Sequence, residues 1–182
     1  MATTTASPDG TTSPDNWTLA AGASKVAAVA LPDDDATTYL NSGTTIDTVQ
    51  TFTVTPSGIS SGDTITQIDI AHRHRKNPAG SNVNHVTGYS FTPQGGGTQT
   101  GESGTFVAAS WDTNTYTHSG LSVLWGSGLT LYIKNTQARD MYLSTISVTI
   151  TYTPGGGGGG QPMVARARQV PGMRRPHGRQ GW

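Results

Sequence analysis

The sequence contains no cysteine. A disulfide framework, a thiolate metal centre and a cysteine nucleophile are thereby excluded. Charge is also scarce, at 12% of residues, about half the share of an ordinary domain. Glu102 is the one glutamate in the chain, whereas glycoside hydrolysis needs two facing carboxylates held rigidly. There is no G-x-S-x-G elbow. The Gly-rich stretch QGGGTQTGESG (94–104) lacks the lysine and the following helix of a phosphate-binding loop. These absences argue against an enzyme, and neither catalytic residues nor a cofactor are expected. No apolar run approaches the roughly 20 residues that cross a bilayer as a helix. The opening MATTTASPDG has neither the basic nor the apolar region of a secretory leader.

What the chain does have is 30 Thr and 24 Gly. β-Branched Thr favours strands and Gly favours turns, so the composition is poor helix material. Residues 1–16 are almost wholly Thr, Ser, Pro, Asp and Gly and read as a flexible arm. Trp17 is the first large apolar anchor, and a domain is expected over 17–154. KVAAVAL (25–31) is a first candidate strand, with a short helix as the alternative. In TIDTVQTFTVTP (45–56), Phe52 and Val54 alternate with threonines, the period of a half-buried strand. TITQIDIAHRHRK (64–76) is the longest candidate. It places Ile68, Ile70, His72 and His74 on one face and Asp69, Ala71, Arg73 and Arg75 on the other. Further strands are expected in 85–93, 105–111, 120–135 (two, broken at Gly126–Gly128) and 141–154, with turn residues at Asp112 and Asn114. In the last strand Ile146, Val148, Ile150 and Tyr152 face one way. About eight short strands between turn signals indicate an all-β chain, an antiparallel β-sandwich of jelly-roll type.

Three constellations bear on function. His72 and His74 form an H-x-H pair able to ligate a metal, but the sequence marks no third ligand, and Arg73, Arg75 and Lys76 surround the pair. No metal site is therefore expected. Asp33, Asp34 and Asp35 offer oxygens to calcium but lack EF-hand spacing, so they read as a solvated turn. Trp111, Trp125, Tyr116 and Tyr132 are either a sugar-stacking platform or, in a chain with three Phe, core filler; the shortage of other large apolar residues favours core.

The formal net charge of zero hides an asymmetry. Residues 1–154 carry all 11 acids and six bases, a balance of −5, while 155–182 carry five arginines and no acid. After a glycine linker at 155–160, the segment 161–182 reads as an extended basic arm. Arg166, Arg168, Arg174, Arg175 and Arg179 supply forks for carboxylates, and Met163, Val164, Val170, Met173 and Trp182 supply apolar anchors. An acidic protein surface is favoured over nucleic acid as its partner, because these apolar anchors stand beside the arginines; aromatics are not interleaved except for the terminal Trp182, so no base readout is indicated.

NWTLAAGASKVAAVALPDDDATTYLNS (16–42), IDIAHRHRK (68–76), SWDTNTYTHSGLSV (110–123) and ISVTITYTP (146–154) stand in the order of signposts of a recurrent module. In these stretches the chain resembles a jelly-roll-like structural module of tailed-bacteriophage virion proteins. The resemblance spans about residues 15–154; the linker and basic arm lie outside it. It implies a non-enzymatic head-decoration, tail or fibre-associated part that contacts other virion proteins and further copies of itself. Such a part is made in a host cytoplasm and carried in the virion. The alternative is a carbohydrate- or receptor-binding module of a phage tail or fibre, using loops 77–84 and 94–104.

Overall fold

The computed structural model describes residues 1–30, 38–76, 82–108 and 110–155. Twelve strands run in order: β1 Ala2–Ala6, β2 Gly10–Asp15, β3 Thr18–Ala21, β4 Tyr39–Asn41, β5 Val49–Thr53, β6 Thr64–Lys76, β7 Val83–Thr92, β8 Gln99–Glu102, β9 Phe106–Ala108, β10 Asp112–Leu124, β11 Ser127–Asn135 and β12 Met141–Thr153. They form two antiparallel sheets. Sheet A has the order β10-β6-β12-β4-β3, with β1 also on β12. Sheet B has the order β2-β5-β11-β7-β8, with β9 also on β7. Leaving aside β1–β3 and β9, the chain passes back and forth between β4-β12-β6-β10 and β5-β11-β7-β8, staying in one sheet only from β7 to β8. That is the wrapping of a jelly roll, as expected from the strand spacing.

The core between the sheets follows the alternation in the sequence. Ile68, Ile70, His72 and His74 of β6 are all fully buried, as are Ile146, Val148 and Ile150 of β12. Two bulges extend this inward set past breaks in the period. An extra residue at Ser144 separates the register pairs Leu143–His74 and Thr145–Arg73. Met141 and Leu143 therefore point inward even though they fall out of phase with Ile146. On β6, the shift between the pairs Tyr152–Ile65 and Thr151–Gln67 does the same for Ile65. Trp17 is buried as expected and donates from Nε1 to the Thr48 carbonyl at 3.2 Å.

Four expectations are corrected. Residues 1–16 are not a free arm. β1 pairs with β12 from Ala2–Tyr152 to Ala6–Val148, and β2 pairs with β5. Ala2 and Ala6 pack on the core, and the Thr4 hydroxyl donates to the Ser57 carbonyl at 2.6 Å. The threonines that look solvated in sequence are strand formers supplied with partner edges. Next, 25–31 does not form a strand: Ala27–Val29 is one turn of 3-10 helix. Ser24 begins it, its hydroxyl accepting from the Ala27 N–H and its carbonyl from the Ala28 N–H. Finally, Asp112 and Asn114 open the 13-residue strand β10 instead of marking a turn. The loop 94–104 likewise contains strand β8. The expected linker and basic arm, and Asp33–Asp35, lie outside the described residues apart from Gly155.

Candidate functional site

The four aromatics considered as a platform are dispersed. Trp125 is 7% exposed and belongs to the core, stacked on Phe91 at 5.3 Å. Tyr116 packs against the core from β10, the edge of sheet A. Tyr132 lies on the outer face of sheet B, out of phase with buried Leu131 and Ile133. Its ring passes over Gly88, where any Cβ would strike the Tyr132 hydroxyl and the Gly101 carbonyl. The Tyr132 hydroxyl donates to Glu102 Oε2 at 2.5 Å. Burial, reinforced by Glu102, pushes the Tyr132 phenol well above its ordinary pKa. Tyr132 is thus a fixed donor, and Glu102 is committed to it. A recess of about 350 Å³ lies between Thr53–Pro56 and Trp125–Thr130, and none of the residues lining it is titratable. Catalysis has no acid or base to work with there.

A surface that sequence reasoning did not assemble lies on the outer face of sheet A. Arg73 and Arg75 alternate with the buried histidines and so project outward. Trp111, immediately before β10, brings its ring centroid to 4.9 Å from the Arg75 Cζ and 5.4 Å from the Arg73 Cζ. Tyr142 is the register partner of Arg75, and the Arg75 Cζ lies 5.1 Å from its ring centroid. Tyr39 of β4 stacks on Tyr142 at 4.4 Å. The result is a row Trp111–Arg75–Tyr142–Tyr39, crossing the sheet and held by cation–π and stacking contacts. The signal in sequence was the H-R-H-R alternation. What it could not supply is the register that brings Tyr142 and Trp111 to either side of Arg75.

Behind the row, inside the sandwich, the same alternation builds a second feature. His72 and His74 of β6 meet His85 of β7 across the gap between the sheets. All three are fully buried. His72 Nε2 and His85 Nε2 are 2.9 Å apart. The rings of His72 and His74 stack at 4.9 Å, and those of His74 and His85 meet at 4.0 Å. Phe106, the register partner of His85, covers the cluster with ring contacts at 5.1 and 5.6 Å. Burial, with the positive charge of a protonated His74 beside it, lowers the His72 pKa to about 3. Burial lowers that of His74 to about 4 against the opposing pull of Asp112. Burial first, then the other two imidazoles, depresses His85 as well. All three rings are neutral at physiological pH. The expectation that the H-x-H pair lacks a third partner is therefore corrected: His85 supplies it, from a strand that the sequence does not tie to β6. Of the surrounding cations, Arg73 and Arg75 are on the opposite face of the sheet, and only Lys76, at the end of β6, shares the face of the histidines.

The expected partner-binding residues of the tail (Met163, Arg166, Arg168, Met173, Arg174, Arg175, Arg179 and Trp182) lie outside the described residues. Among the described residues no helix is long and apolar enough to cross a membrane.

No family model matches the chain, and no curated protein sequence matches it. Among solved structures it is similar to the CBM22-1 xylan-binding domain of Paenibacillus barcinonensis Xyn10C. The identity is 16% and the TM-score 0.49, over 82% of this chain and 94% of that one. The CBM22-2 xylan-binding domain of the same protein matches at 13% identity and TM-score 0.46, covering 81% and 98%. The CBM22-1–GH10 modules of Clostridium thermocellum xylanase 10B match at 12% identity and TM-score 0.49, covering 77% of this chain and 25% of that one. The fold of the chain is defined by the strand order and register given above.

Proposed function

We propose that this chain is a non-enzymatic structural module of a tailed-phage particle, docking on a neighbouring virion protein through the outer face of sheet A. The observation that carries the reading is the Trp111–Arg75–Tyr142–Tyr39 row. Trp, Tyr and Arg are the residue types that dominate protein–protein hot spots. Here Arg75, Tyr142 and Tyr39 are preorganised on strands, and Trp111 stands one residue before β10. Arg73 and Arg75 present guanidinium groups, so the occupant is a protein surface bearing carboxylates. The basic arm 161–182 acts as a second, tethered contact of the same sign.

A second reading, carbohydrate binding, is favoured by the same row, since three aromatic rings in line suit a sugar chain. Against it, Arg75 already lies over the rings of both Trp111 and Tyr142, and Tyr39 and Tyr142 cover each other. A sugar would have to displace these contacts, whereas a carboxylate adds to them.

The test is incorporation into particles. Trp111→Ala combined with Arg75→Gln leaves the domain folded and lowers its copy number per particle at least tenfold. Removing residues 155–182, or changing the five tail arginines to Gln, lowers it as well, and added salt mimics part of that loss. Full occupancy of the double variant would overturn the docking face. Binding of the wild-type chain to neutral glycans, lost in Trp111→Ala, would instead select the second reading.

A further inference from the structure

We propose that His72, His74 and His85 form a structural site for one divalent transition-metal ion, which ties sheet A to sheet B. This inference stands independently of what the outer face binds. Each of the three residues offers a ring nitrogen, and these ligand atoms all lie within 4.8 Å of one another. Three imidazole nitrogens at 2.0–2.1 Å from a tetrahedral ion stand about 3.3 Å apart. The 2.9 Å between His72 and His85 and the outer limit of 4.8 Å bracket that value, so modest ring rotations complete the set.

The protein-only arrangement leaves the cluster poorly satisfied. Both nitrogens of His74 and the Nδ1 atoms of His72 and His85 are buried without a well-formed hydrogen bond, each ring having at most a weak contact to the backbone two residues back, at Ile70, His72 and Val83. Buried polar atoms are nearly always paired, so a cluster this poorly satisfied is exceptional. The contact between His72 and His85 sets two like atoms, Nε2 against Nε2, at hydrogen-bond distance. One ring must then surrender its lone pair to the other, while His74 gains nothing. A cation among the three accepts every lone pair at once. The rings are already in the neutral form that ligation needs.

The chemistry of the donors sets the class of ion. An all-imidazole set suits zinc, cobalt, nickel or copper and not the hard, oxygen-seeking calcium or magnesium. Asp112, in register with His74 and on its flank, is an acidic neighbour that offsets part of the charge. Among the described residues the three rings are fully buried beneath Phe106, which suits an ion that holds the sheets together and not one that catalyses.

The experiment uses the untagged full chain, stripped with a strong chelator and then titrated with Zn²⁺ or Co²⁺. One equivalent binds, and cobalt shows the intense visible bands of a tetrahedral, nitrogen-rich site. A hundredfold excess of zinc over its Kd raises the melting midpoint by roughly 5–10 °C. His85→Phe weakens binding at least a hundredfold, while His118→Gln, at a histidine outside the cluster, does not. Should His85→Phe fail to fold, the ring nitrogen-15 shifts of the wild-type chain decide: three histidines move on adding zinc. Uptake well below one equivalent with an unmoved melting midpoint would overturn the site, as would unchanged binding in folded His85→Phe.

Discussion

Acidification of the metal-free chain from pH 7 to pH 4 strongly destabilises this domain, with the steepest loss below about pH 6. The cause is the buried histidine cluster. Burial lowers the folded-state pKa of His72 to about 3 and of His74 to about 4, and depresses His85 in the same direction. In the unfolded chain each returns to about 6.5. The folded state therefore binds fewer protons than the unfolded state throughout this window. Stability is complete above about pH 6.5 and falls as the pH drops below it, until each folded-state pKa is reached. One such histidine costs about 1.4 kcal/mol per pH unit, and three together approach about 4 kcal/mol per pH unit. Two such units remove about 8 kcal/mol, which unfolds a domain in the lower half of the usual range of roughly 5–15 kcal/mol and leaves a more stable one marginal. Asp112 moderates the effect at His74 only. Urea midpoints measured at half-unit steps from pH 7.5 to 4 follow this curve, and folded His74→Phe flattens its slope by about a third. Midpoints that stay level down to pH 5 would show that the rings are not held neutral.

Deleting residues 2–15 has the next largest effect. Read as a solvated Thr/Ser arm, this segment would be dispensable. As β1 and β2 it covers the edge of β12 over Val148–Tyr152 and the edge of β5. It also adds Ala2, Ala6 and buried Pro8 to the packing. Ladder hydrogen bonds contribute about 1 kcal/mol each before the entropy of ordering the segment is subtracted. The expected net loss is on the order of 3 kcal/mol, or roughly 6–12 °C in melting midpoint for a domain of this size. The truncated chain also aggregates faster, since two strand edges lose their cover. An unchanged melting midpoint would mean that β1 and β2 do not contribute to stability.

These two predictions mark where the sequence was legible and where it was not. The inward set of β6 from Ile68 to His74 could be read directly, because period-2 alternation in a long β-branched run has one interpretation. Phe52, Ile146, Val148 and Ile150 were legible as core for the same reason, and Trp17 as the first large apolar anchor. The inward placement of Met141, Leu143 and Ile65 was not, because a bulge changes the phase without leaving a turn residue behind. β1 and β2 were missed because their polarity is that of an exposed ladder; only the partner edge makes them strands. The histidine cluster and the aromatic–guanidinium row both depend on register. His85 is far from β6 in strand pairing yet adjacent across the core. Trp111 and Tyr142 reach Arg75 from β10 and β12 on either side. Alternation says which residues share a face; it does not say which strand lies next to it.

The docking claim is tested most directly by hydroxyl-radical footprinting of the free protein and of the same protein in purified particles, with oxidation read residue by residue. Trp111, Tyr142 and Tyr39 are predicted to be oxidised in the free chain and protected at least fivefold in the particle. Ile46 and Met1, both exposed and outside the row, are predicted to oxidise equally in the two states. Equal oxidation of Trp111 and Tyr142 in both states, with protection elsewhere on the domain, would contradict the account.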